Sequence, residues 1–365
     1  MARDGRTEAE ATDWLAARAL NSEEVARYNE RRGAAALAND VARKWYHTQF
    51  IESENAVSWW EHRGYTLDRA KVEMIGLAPP DARVFLDAMK GAYVSRGALI
   101  DAGLVMPGRN AGTVTVRFRS RLLFPITDDR DISTIAFTGR VLDSGQDNTQ
   151  RPKYLNTGVS LLWEKRRTLY GLGQARSAVT KSRIVHLVEG QFGVLRCAVS
   201  GIKNVVASSG TSFTPAQASL LAGIARGEKP RAEIRLVVCY DEGAEKMARE
   251  AARVALVAGF AVDIVTMPSG SDDPDGYGRA HGAAALISLM GSATDALESV
   301  YRSATGCVAG DISRVPLRAR LHAADEVRDY ILAASSTKVR KASAAAAATW
   351  YGITADELIG GTHAP

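Results

Sequence analysis

The sequence of 365 residues has only three cysteines, Cys197, Cys239 and Cys307, and they stand far apart. None forms a C-x-x-C pair, and the six histidines show no metal-binding spacing, which excludes a disulfide framework and a zinc site. No run reaches the roughly 18 apolar residues of a membrane span, and the first residues do not form a signal peptide. We therefore expect a cytoplasmic protein that uses no zinc and contacts no membrane.

Negative charge is scarce in one segment of the chain. The whole sequence has a net charge of +5, but residues 117–183 contain 13 Lys and Arg against 6 Asp and Glu. The rest of the chain is therefore slightly acidic. Because this segment also shows strand-like alternation, its excess of cations is typical of a polyanion-binding surface. A solvated charged face is the alternative interpretation.

Hydrophobic patterning divides the chain into four parts. Helical spacing dominates up to about residue 105, and strand-like alternation begins at Thr113. From Arg183 to Met267 apolar strands alternate with helices, which predicts a parallel sheet with helices on both faces. The strands are expected at 183–188, 204–208, 233–240 and 261–267, and the helices at 191–200, 214–226 and 243–258. The Ala-rich remainder predicts a helical carboxy-terminal subdomain. The predicted fold is α/β, or α+β overall, in the parts 1–112 (helical and mixed, with 1–35 as an extra helical extension), 113–182 (basic and strand-rich), 183–278 and 279–365.

Large aromatic residues are concentrated in the helical first part. Trp45, Tyr46, Trp59 and Trp60 recur at helical spacing, so we expect them to pack in a core. Stacking on nucleic-acid bases is the alternative use of such side chains.

Acidic residues follow three of the predicted parallel strands. They are Glu189 after the first strand, Asp241 and Glu242 after a later one, and Asp273 and Asp275 shortly after the last. Any one of them alone is typical of a helix cap or a turn. Ligands of parallel sheets sit beyond the carboxyl ends of the strands, and clustered carboxylates repel one another unless a cation lies among them. Oxygen ligands of this kind suit Mg²⁺ or Mn²⁺, so the pattern predicts a metal site for phosphoryl chemistry.

Ordered motifs connect this sequence to a known family. Val188-Glu189-Gly190, Tyr240-Asp241 and Asp273-Pro274-Asp275 resemble the Toprim domain of bacterial DnaG-type primases. The similarity covers about residues 40–275. The upstream segments that resemble the family, in family order, are Trp60-Glu-His-Arg63-Gly64, Gly76-Leu77-Ala-Pro79, Arg117-Phe-Arg119-Ser-Arg121-Leu-Leu-Phe-Pro-Ile126, Phe137-Thr-Gly-Arg140-Val-Leu142, Pro152-Lys153-Tyr154-Leu155-Asn156, Leu169-Tyr170-Gly171-Leu172 and Val206-Ala-Ser-Ser-Gly210-Thr211.

Two positions depart from the family pattern. Gly193 stands where the family usually has an aspartate four residues after the catalytic glutamate. Asp241-Glu242-Gly243 replaces Asp-Gly-Asp, so the second acid is either Glu242 or Glu245. We also expect the family's amino-terminal zinc ribbon and its carboxy-terminal helicase-binding domain to be missing, which is typical of a phage or mobile-element protein.

The resemblance implies DNA-templated synthesis of short RNA primers from ribonucleoside triphosphates by metal-dependent nucleotidyl transfer. It implies Glu189, Asp241, Asp273 and Asp275 as catalytic residues, and these four with Glu242 as ligands of two Mg²⁺ or Mn²⁺ ions. The implied partners are a single-stranded DNA template and NTPs, together with a replicative helicase or a zinc-ribbon protein in trans. The residues expected to line a groove and bind nucleic acid or NTP are Arg119, Arg121, Arg140, Lys153, Tyr154, Asn156 and Lys165.

Two other functions fit parts of the pattern. A Toprim-type metal-dependent nuclease shares the Glu and Asp-x-Asp arrangement, although nothing here resembles the tyrosine nucleophile of a topoisomerase. A catalytically weakened single-stranded DNA-binding relative would account for Gly193 and the altered acids after the central strand.

Overall fold

The computed structural model describes residues 22–110, 112–142, 152–210, 212–224, 234–306 and 315–360. The first 21 residues of the predicted helical extension, Thr211 and Cys307 lie outside these ranges. Within the ranges, no helix combines the length and the apolar character needed to cross a bilayer. The chain divides into two compact units between Gln174 and Ala175. The four-part division therefore stays a prediction.

The first unit combines short helices with short antiparallel strands. Helix α1 spans Ser22–Ile51 and continues through the boundary proposed at residue 35. The elements are α1 (Ser22–Ile51), α2 (Glu54–His62), α3 (Leu67–Val72), β1 (Gly76–Ala78), α4 (Ala82–Gly91), α5 (Arg96–Asp101), β2 (Val105–Pro107), β3 (Val114–Val116), β4 (Arg121–Thr127), β5 (Thr134–Val141), β6 (Tyr154–Asn156) and a 3₁₀ turn (Lys165–Arg167).

The short helices α2 to α5 begin at side chains that accept hydrogen bonds from the first turn. Ser53, Thr66, Asp81 and Ser95 are the N-cap residues, and each accepts a bond from a backbone N–H two or three residues further on. Such a cap satisfies one of the donors that a helix start leaves without a partner. Local sequence therefore sets the start of each of these helices.

The core of the first unit lies between α1 and a four-stranded antiparallel sheet with the order β1-β4-β5-β6. Tyr46 on α1 stacks on Phe85, with ring centroids 5.2 Å apart, and Phe137 of β5 meets Tyr46 edge-on. Tyr46 and Trp60 are fully buried, which confirms their expected place in the core. Gly76 of β1 lies so close to α1 that a Cβ there would be 2.7 Å from that of Tyr46.

The second unit follows the predicted alternation of strands and helices. Each strand and helix expected between residues 183 and 267 is present, with ends within a few residues of the prediction. The elements are α6 (Leu172–Ser182, which begins in the first unit), β7 (Ile184–Val188), α7 (Gln191–Val199), β8 (Val205–Ala207), α8 (Pro215–Ile224), β9 (Arg235–Val238), α9 (Glu245–Val257), β10 (Ala261–Ile264), α10 (Pro274–Gly291), β11 (Thr294–Asp295), α11 (Ala296–Thr305), α12 (Leu317–Ala333), α13 (Thr337–Tyr351) and α14 (Ala355–Gly360).

A five-stranded sheet with the order β11-β10-β9-β7-β8 forms the centre of the second unit. Strands β7 to β10 pair in parallel, as predicted, and β11 adds an antiparallel edge beside β10. Consecutive residues of β8, β9 and β10 are buried, which is the pattern of strands covered on both faces. Cys197 and Cys239 are buried free thiols, as expected for small core residues.

The carboxy-terminal part is helical, as predicted. Its first helix, α10, is interrupted at Gly282, where φ is +84° and ψ is 172°. Only glycine adopts this backbone conformation readily. The helix therefore consists of two segments, 274–281 and 283–291, that differ in direction.

Candidate functional site

Glu189 follows the last residue of β7 at the carboxyl edge of the parallel sheet. Its Oε1 accepts a hydrogen bond of 3.1 Å from the backbone N–H of Asp241, which follows β9. Burial raises the pKa of the Glu189 carboxyl, and the negative charge of Asp273 raises it further, whereas the bond from Asp241 lowers it. The structure thus places Glu189, Asp241 and Asp273, which follow three different strands, at this edge, and the contact of Glu189 with Asp241 is through the Asp241 backbone.

Glu242 braces two loops at the same edge. Its carboxylate accepts the backbone N–H of Gly270, with contacts of 2.9 and 3.0 Å, and its own N–H donates to the carbonyl of Asp272 at 2.7 Å. These bonds join the loop after β9 to the loop after β10. They lower the pKa of the exposed Glu242 carboxyl, with the bond from Gly270 as the largest cause.

Asp273 and Asp275 have different environments. Asp273 is half-buried and is the N-cap of α10, because its Oδ1 accepts the N–H of Gly276 at 2.6 Å. Asp275 is fully buried, and its Oδ1 lies 2.9 Å from Nε of Arg196 on α7. The structure therefore places Asp273 among the strand-end acids and pairs Asp275 with a buried cation.

The chemistry of these acids suits a hard divalent cation. No three Asp, Glu, His or Cys side chains of the described ranges converge tightly enough to enclose a metal ion. Mg²⁺, however, usually keeps several waters and binds through one or two carboxylates together with substrate phosphates. The pKa of the Glu189 carboxyl is raised mainly by burial and further by the negative charge of Asp273, and a nearby cation would counter both effects.

Strand β6 of the first unit contains Tyr154 and Asn156, and Lys153 lies directly before it. All three residues are expected to bind nucleic acid or NTP. Arginines beneath it hold its backbone in place. Arg121 donates to the carbonyls of Gly139, Pro152 and Lys153, and Arg117 donates twice to the carbonyl of Asn156, at 2.7 and 2.9 Å. The Asn156 side chain accepts the hydroxyl of Thr138 at 2.7 Å.

Arg140 lies between two aromatic rings. Its guanidinium carbon is 5.2 Å from the ring of Trp59 and 5.7 Å from the ring of Tyr154, within the range of cation–π contacts. Arg140 is only 4% exposed, as is Arg121. Both were expected to contact phosphates directly. Because both are buried, they instead support β6 from the interior of the unit.

Four of the expected binding residues face solvent. Arg119, Lys153, Tyr154 and Lys165 are exposed. Tyr154 is 37% exposed, so part of its ring is open to solvent while the rest contacts Arg140. Lys165 opens a 3₁₀ turn whose three residues are all basic. Positive charge and an accessible aromatic ring thus occur in the same unit, as single-stranded nucleic-acid binding requires.

Sequence reasoning did not select Arg196, Trp59 or Arg117 as functional residues. Arg196 carried the clearest signal, because it is a charged residue within the otherwise apolar run 192–199. Trp59 belongs to the aromatic pattern of the first part and Arg117 to a motif shared with the family, but their contacts with Arg140 and Asn156 could not be predicted, since these partners are distant in the sequence.

Both units match known families. A parallel sheet with acids at its carboxyl edge defines the second unit as a Toprim-type domain, and residues 186–277 match the family described as Toprim-like. Residues 45–176 match the family described as the N-terminal domain of the DNA primase catalytic core. The two matches cover more than half of the chain, which therefore belongs to the DnaG-type primase family by its catalytic core. Primases with a Toprim domain are in general metal-dependent.

Known relatives agree with this assignment. The chain is 31% identical over 268 residues to a DNA primase of Enterococcus faecalis, a match that spans 72% of this chain and 41% of the relative. The chain thus spans about two fifths of the length of such curated relatives. Its fold is similar to the zinc-binding and RNA polymerase domains of Aquifex aeolicus primase, with a TM-score of 0.75, 26% identity, and coverage of 97% of this chain and 81% of that structure. It is also similar to a DnaG primase catalytic domain bound to ssDNA, with a TM-score of 0.73, 27% identity and coverage of 89% and 98%.

Proposed function

We propose that this chain is the catalytic core of a DNA primase, which synthesises short RNA primers from NTPs on a single-stranded DNA template. The observation that carries the proposal is the set of acids Glu189, Asp241 and Asp273 at one sheet edge, in a chain whose other unit matches the primase-specific amino-terminal domain. The match of the first unit to the primase-specific amino-terminal domain favours a primase over a nuclease with the same Toprim acids.

The reaction forms one bond between the 3′-hydroxyl oxygen of the growing RNA and the α-phosphorus of the incoming NTP. The bond between the α-phosphorus and the bridging oxygen to the β-phosphate breaks, pyrophosphate leaves, and the hydroxyl loses its proton. Glu189 is suited to accept that proton or to bind a cation, because Asp241 orients it and burial raises its pKa. Direct contact of Glu189 with the reacting hydroxyl is part of the proposal.

Asp241, Asp273 and Glu189 would hold Mg²⁺ or Mn²⁺, and two ions are proposed for this reaction. Bound divalent cations supply neutralisation of the negative charge that develops on the phosphoryl oxygens. Asp273 could bind a cation and cap α10 at the same time, because its Oδ1 accepts the N–H of Gly276 while its Oδ2 is left for a second contact. Glu242 would act indirectly by bracing the loops that carry Asp241 and Asp273.

The first unit would bind the template strand and the triphosphate. Lys153, Lys165 and Arg119 would contact phosphates, and the Tyr154 ring would stack on a base. A solved relative bound to ssDNA supports single-stranded DNA as the template. A replicative helicase and a zinc-ribbon protein in trans stay predictions.

One observation favours a second candidate, a single-stranded DNA-binding relative with weakened catalysis. Gly193 supplies no carboxylate, and Asp275 is paired with Arg196 inside the protein. Fewer acids are therefore left for metal binding than the family motif implies. This candidate predicts DNA binding without RNA synthesis.

The decisive experiment is incorporation of labelled ribonucleotides on a short single-stranded DNA template with Mg²⁺ or Mn²⁺. We expect metal-dependent RNA from the wild-type chain and a loss of at least about a hundredfold for Asp273→Asn, which removes a ligand charge. Asparagine is as good an N-cap as aspartate, so the start of α10 is preserved.

The matched control is Asp295→Asn, which makes the same change at the N-cap of α11 in the same unit. It should synthesise RNA at nearly the wild-type rate. Tight DNA binding with no RNA synthesis under either metal would favour the binding-only candidate, provided that added zinc-ribbon protein does not restore synthesis. Shortening of the DNA would favour the nuclease.

A further inference from the structure

Helices α7 and α10 begin next to two of the strand-end acids. Glu189 lies two residues before α7, with Gly190 between them as the N-cap, and Asp273 is itself the N-cap of α10. The two helices pack directly against each other. The distance between Glu189 and Asp273 therefore depends on how α7 and α10 are held together.

A buried ion pair joins these two helices. Nε of Arg196 on α7 donates to Oδ1 of Asp275 on α10 at 2.9 Å, and the two side chains are 9% and 0% exposed. Gly278 allows this approach, because a Cβ there would lie 2.7 Å from Cγ of Arg196. The stem of Arg196 thus lies against the backbone of α10, one turn beyond Asp275.

We infer that Arg196 is a positioning residue. Its ion pair with Asp275 fixes α7 against α10 and so sets the spacing of Glu189 and Asp273 for binding a divalent cation. Asp275 itself is not a ligand. The inference rests on the proposed function for the presence of the cation. It corrects the sequence-based assignment of Asp275 as a metal ligand.

The energetics of burial support this reading of Asp275. A metal ion that took Asp275 as a ligand would have to compete with Arg196 for a carboxylate that has no access to solvent. Breaking a buried pair leaves an uncompensated charge and is strongly destabilising. Glu189 and Asp273 carry no such cost, because neither of them pairs with a buried cation among the described residues.

The test is a double-mutant cycle on Mn²⁺ affinity, measured from the free-ion EPR signal with purified full-length protein and no nucleotide. The variants are Arg196→Met, Asp275→Asn and the two combined. We expect each single variant to bind Mn²⁺ on the order of tenfold more weakly, as is usual when a residue that orients a ligand is lost. The double variant should be weakened by about the same tenfold factor rather than a hundredfold, because both changes remove one interaction.

Two further variants complete the design. Arg235→Met breaks an Arg–Asp pair between β9 and β10, with Asp263, and should leave Mn²⁺ affinity unchanged. Asp273→Asn removes a ligand and should weaken Mn²⁺ binding by more than either change at the pair. The double variant carries no uncompensated buried charge, so it provides a folded protein if a single variant unfolds.

Three results would overturn the inference. They are unchanged Mn²⁺ affinity in Arg196→Met, a loss in Asp275→Asn equal to that in Asp273→Asn, and losses that add in the double variant. Absence of Mn²⁺ binding by the wild-type protein would also overturn it, whereas RNA synthesis decides the proposed function separately.

Discussion

At the residue scale, some cations of the basic segment lie in the interior and others lie at the surface. Arg121 and Arg140 are buried and bind carbonyls or aromatic faces, whereas Lys153 and Lys165 are exposed. A planar guanidinium can donate in several directions and stack on rings, which suits it to the interior. The compact ammonium group of lysine is better hydrated and stays at the surface. The cations that can reach phosphates are therefore fewer than the sequence suggests.

Lys165 and Tyr154 should affect binding of oligothymidylate in different ways. Lys165→Ala should reduce the salt dependence of the affinity, lowering the slope of log K against log salt by about 0.7, because one phosphate contact is lost. Tyr154→Ala should weaken binding by about 1–3 kcal/mol with the slope unchanged, because stacking releases no counterions. Fluorescence anisotropy between low and high salt measures both quantities.

Lys71→Ala is the matched control for Lys165→Ala. Lys71 is an exposed lysine of the same unit that pairs with Asp68 on α3. Its removal should leave the slope unchanged. An equal change of slope in both variants would remove the specific role assigned to Lys165.

At the scale of elements, the contact of β1 with α1 has no room for a side chain. A Cβ at Gly76 would meet the Cβ of Tyr46 at 2.7 Å, and this atom is fixed by the helix backbone. We expect Gly76→Ala to lower the free energy of unfolding by about 1–3 kcal/mol through overpacking. Chemical denaturation measures the change.

Gly33 offers the opposite control within α1. A Cβ at Gly33 meets nothing within 4 Å, so Gly33→Ala should raise stability by up to about 1 kcal/mol through helix propensity. If both substitutions moved stability in the same direction, the close contact at Gly76 would not be the cause.

His186 makes the stability of the central sheet depend on pH. Burial lowers the pKa of this β7 residue from 6.5 to about 4, and its ring lines a pocket together with Arg235 and Asp263. The unfolded chain therefore binds a proton that the folded chain does not, so the stability present above pH 6.5 is lost as pH falls towards 4. His186→Asn should reduce this pH dependence of the unfolding free energy by about 3 kcal/mol.

The measurement compares urea denaturation of wild type and variant at several pH values between 4 and 7. Both chains share all their carboxylates, so the difference isolates the histidine. His322→Asn, at an exposed position of α12, is the matched control for the substitution itself. Parallel curves for wild type and His186→Asn would contradict the assignment.

At the scale of the whole molecule, binding of single-stranded DNA should depend steeply on salt. The exposed cations Arg119, Lys153, Lys165 and Arg166 predict a log–log slope of about −3 if each contacts one phosphate. Affinity should then fall about fiftyfold between 50 and 200 mM salt. A flat dependence would show that phosphate contacts do not carry the binding.

Much of the second unit's fold could be predicted, because its strands are continuous apolar runs separated by regular helices. Strand β7 was expected at 183–188 and occupies Ile184–Val188, and α9 was expected at 243–258 and occupies Glu245–Val257. The elements that escaped prediction are very short. Strands β1 and β11 have three and two residues, too few for a period-two pattern, and only pairing with distant strands defines them.

The candidate site could be predicted in part. Glu189, Asp241 and Asp273 are placed by strand ends, which a sequence reveals. The partner of Asp275 could not be found in this way, because Arg196 meets it only through the packing of two helices 79 residues apart in the chain. The burial of Arg121 and Arg140 likewise could not be predicted from the sequence, since a count of charges does not distinguish a buried arginine from one that faces solvent.

The interruption of α10 at Gly282 has a consequence for amide hydrogen exchange. The backbone there leaves the helical conformation, so segments 274–281 and 283–291 do not share one ladder of hydrogen bonds. Fraying that starts in the carboxy-terminal helices therefore stops at residue 282. The amides beside Asp273 can keep their protection while those further along exchange, and the turn proposed to bind a cation is insulated from local opening of the tail.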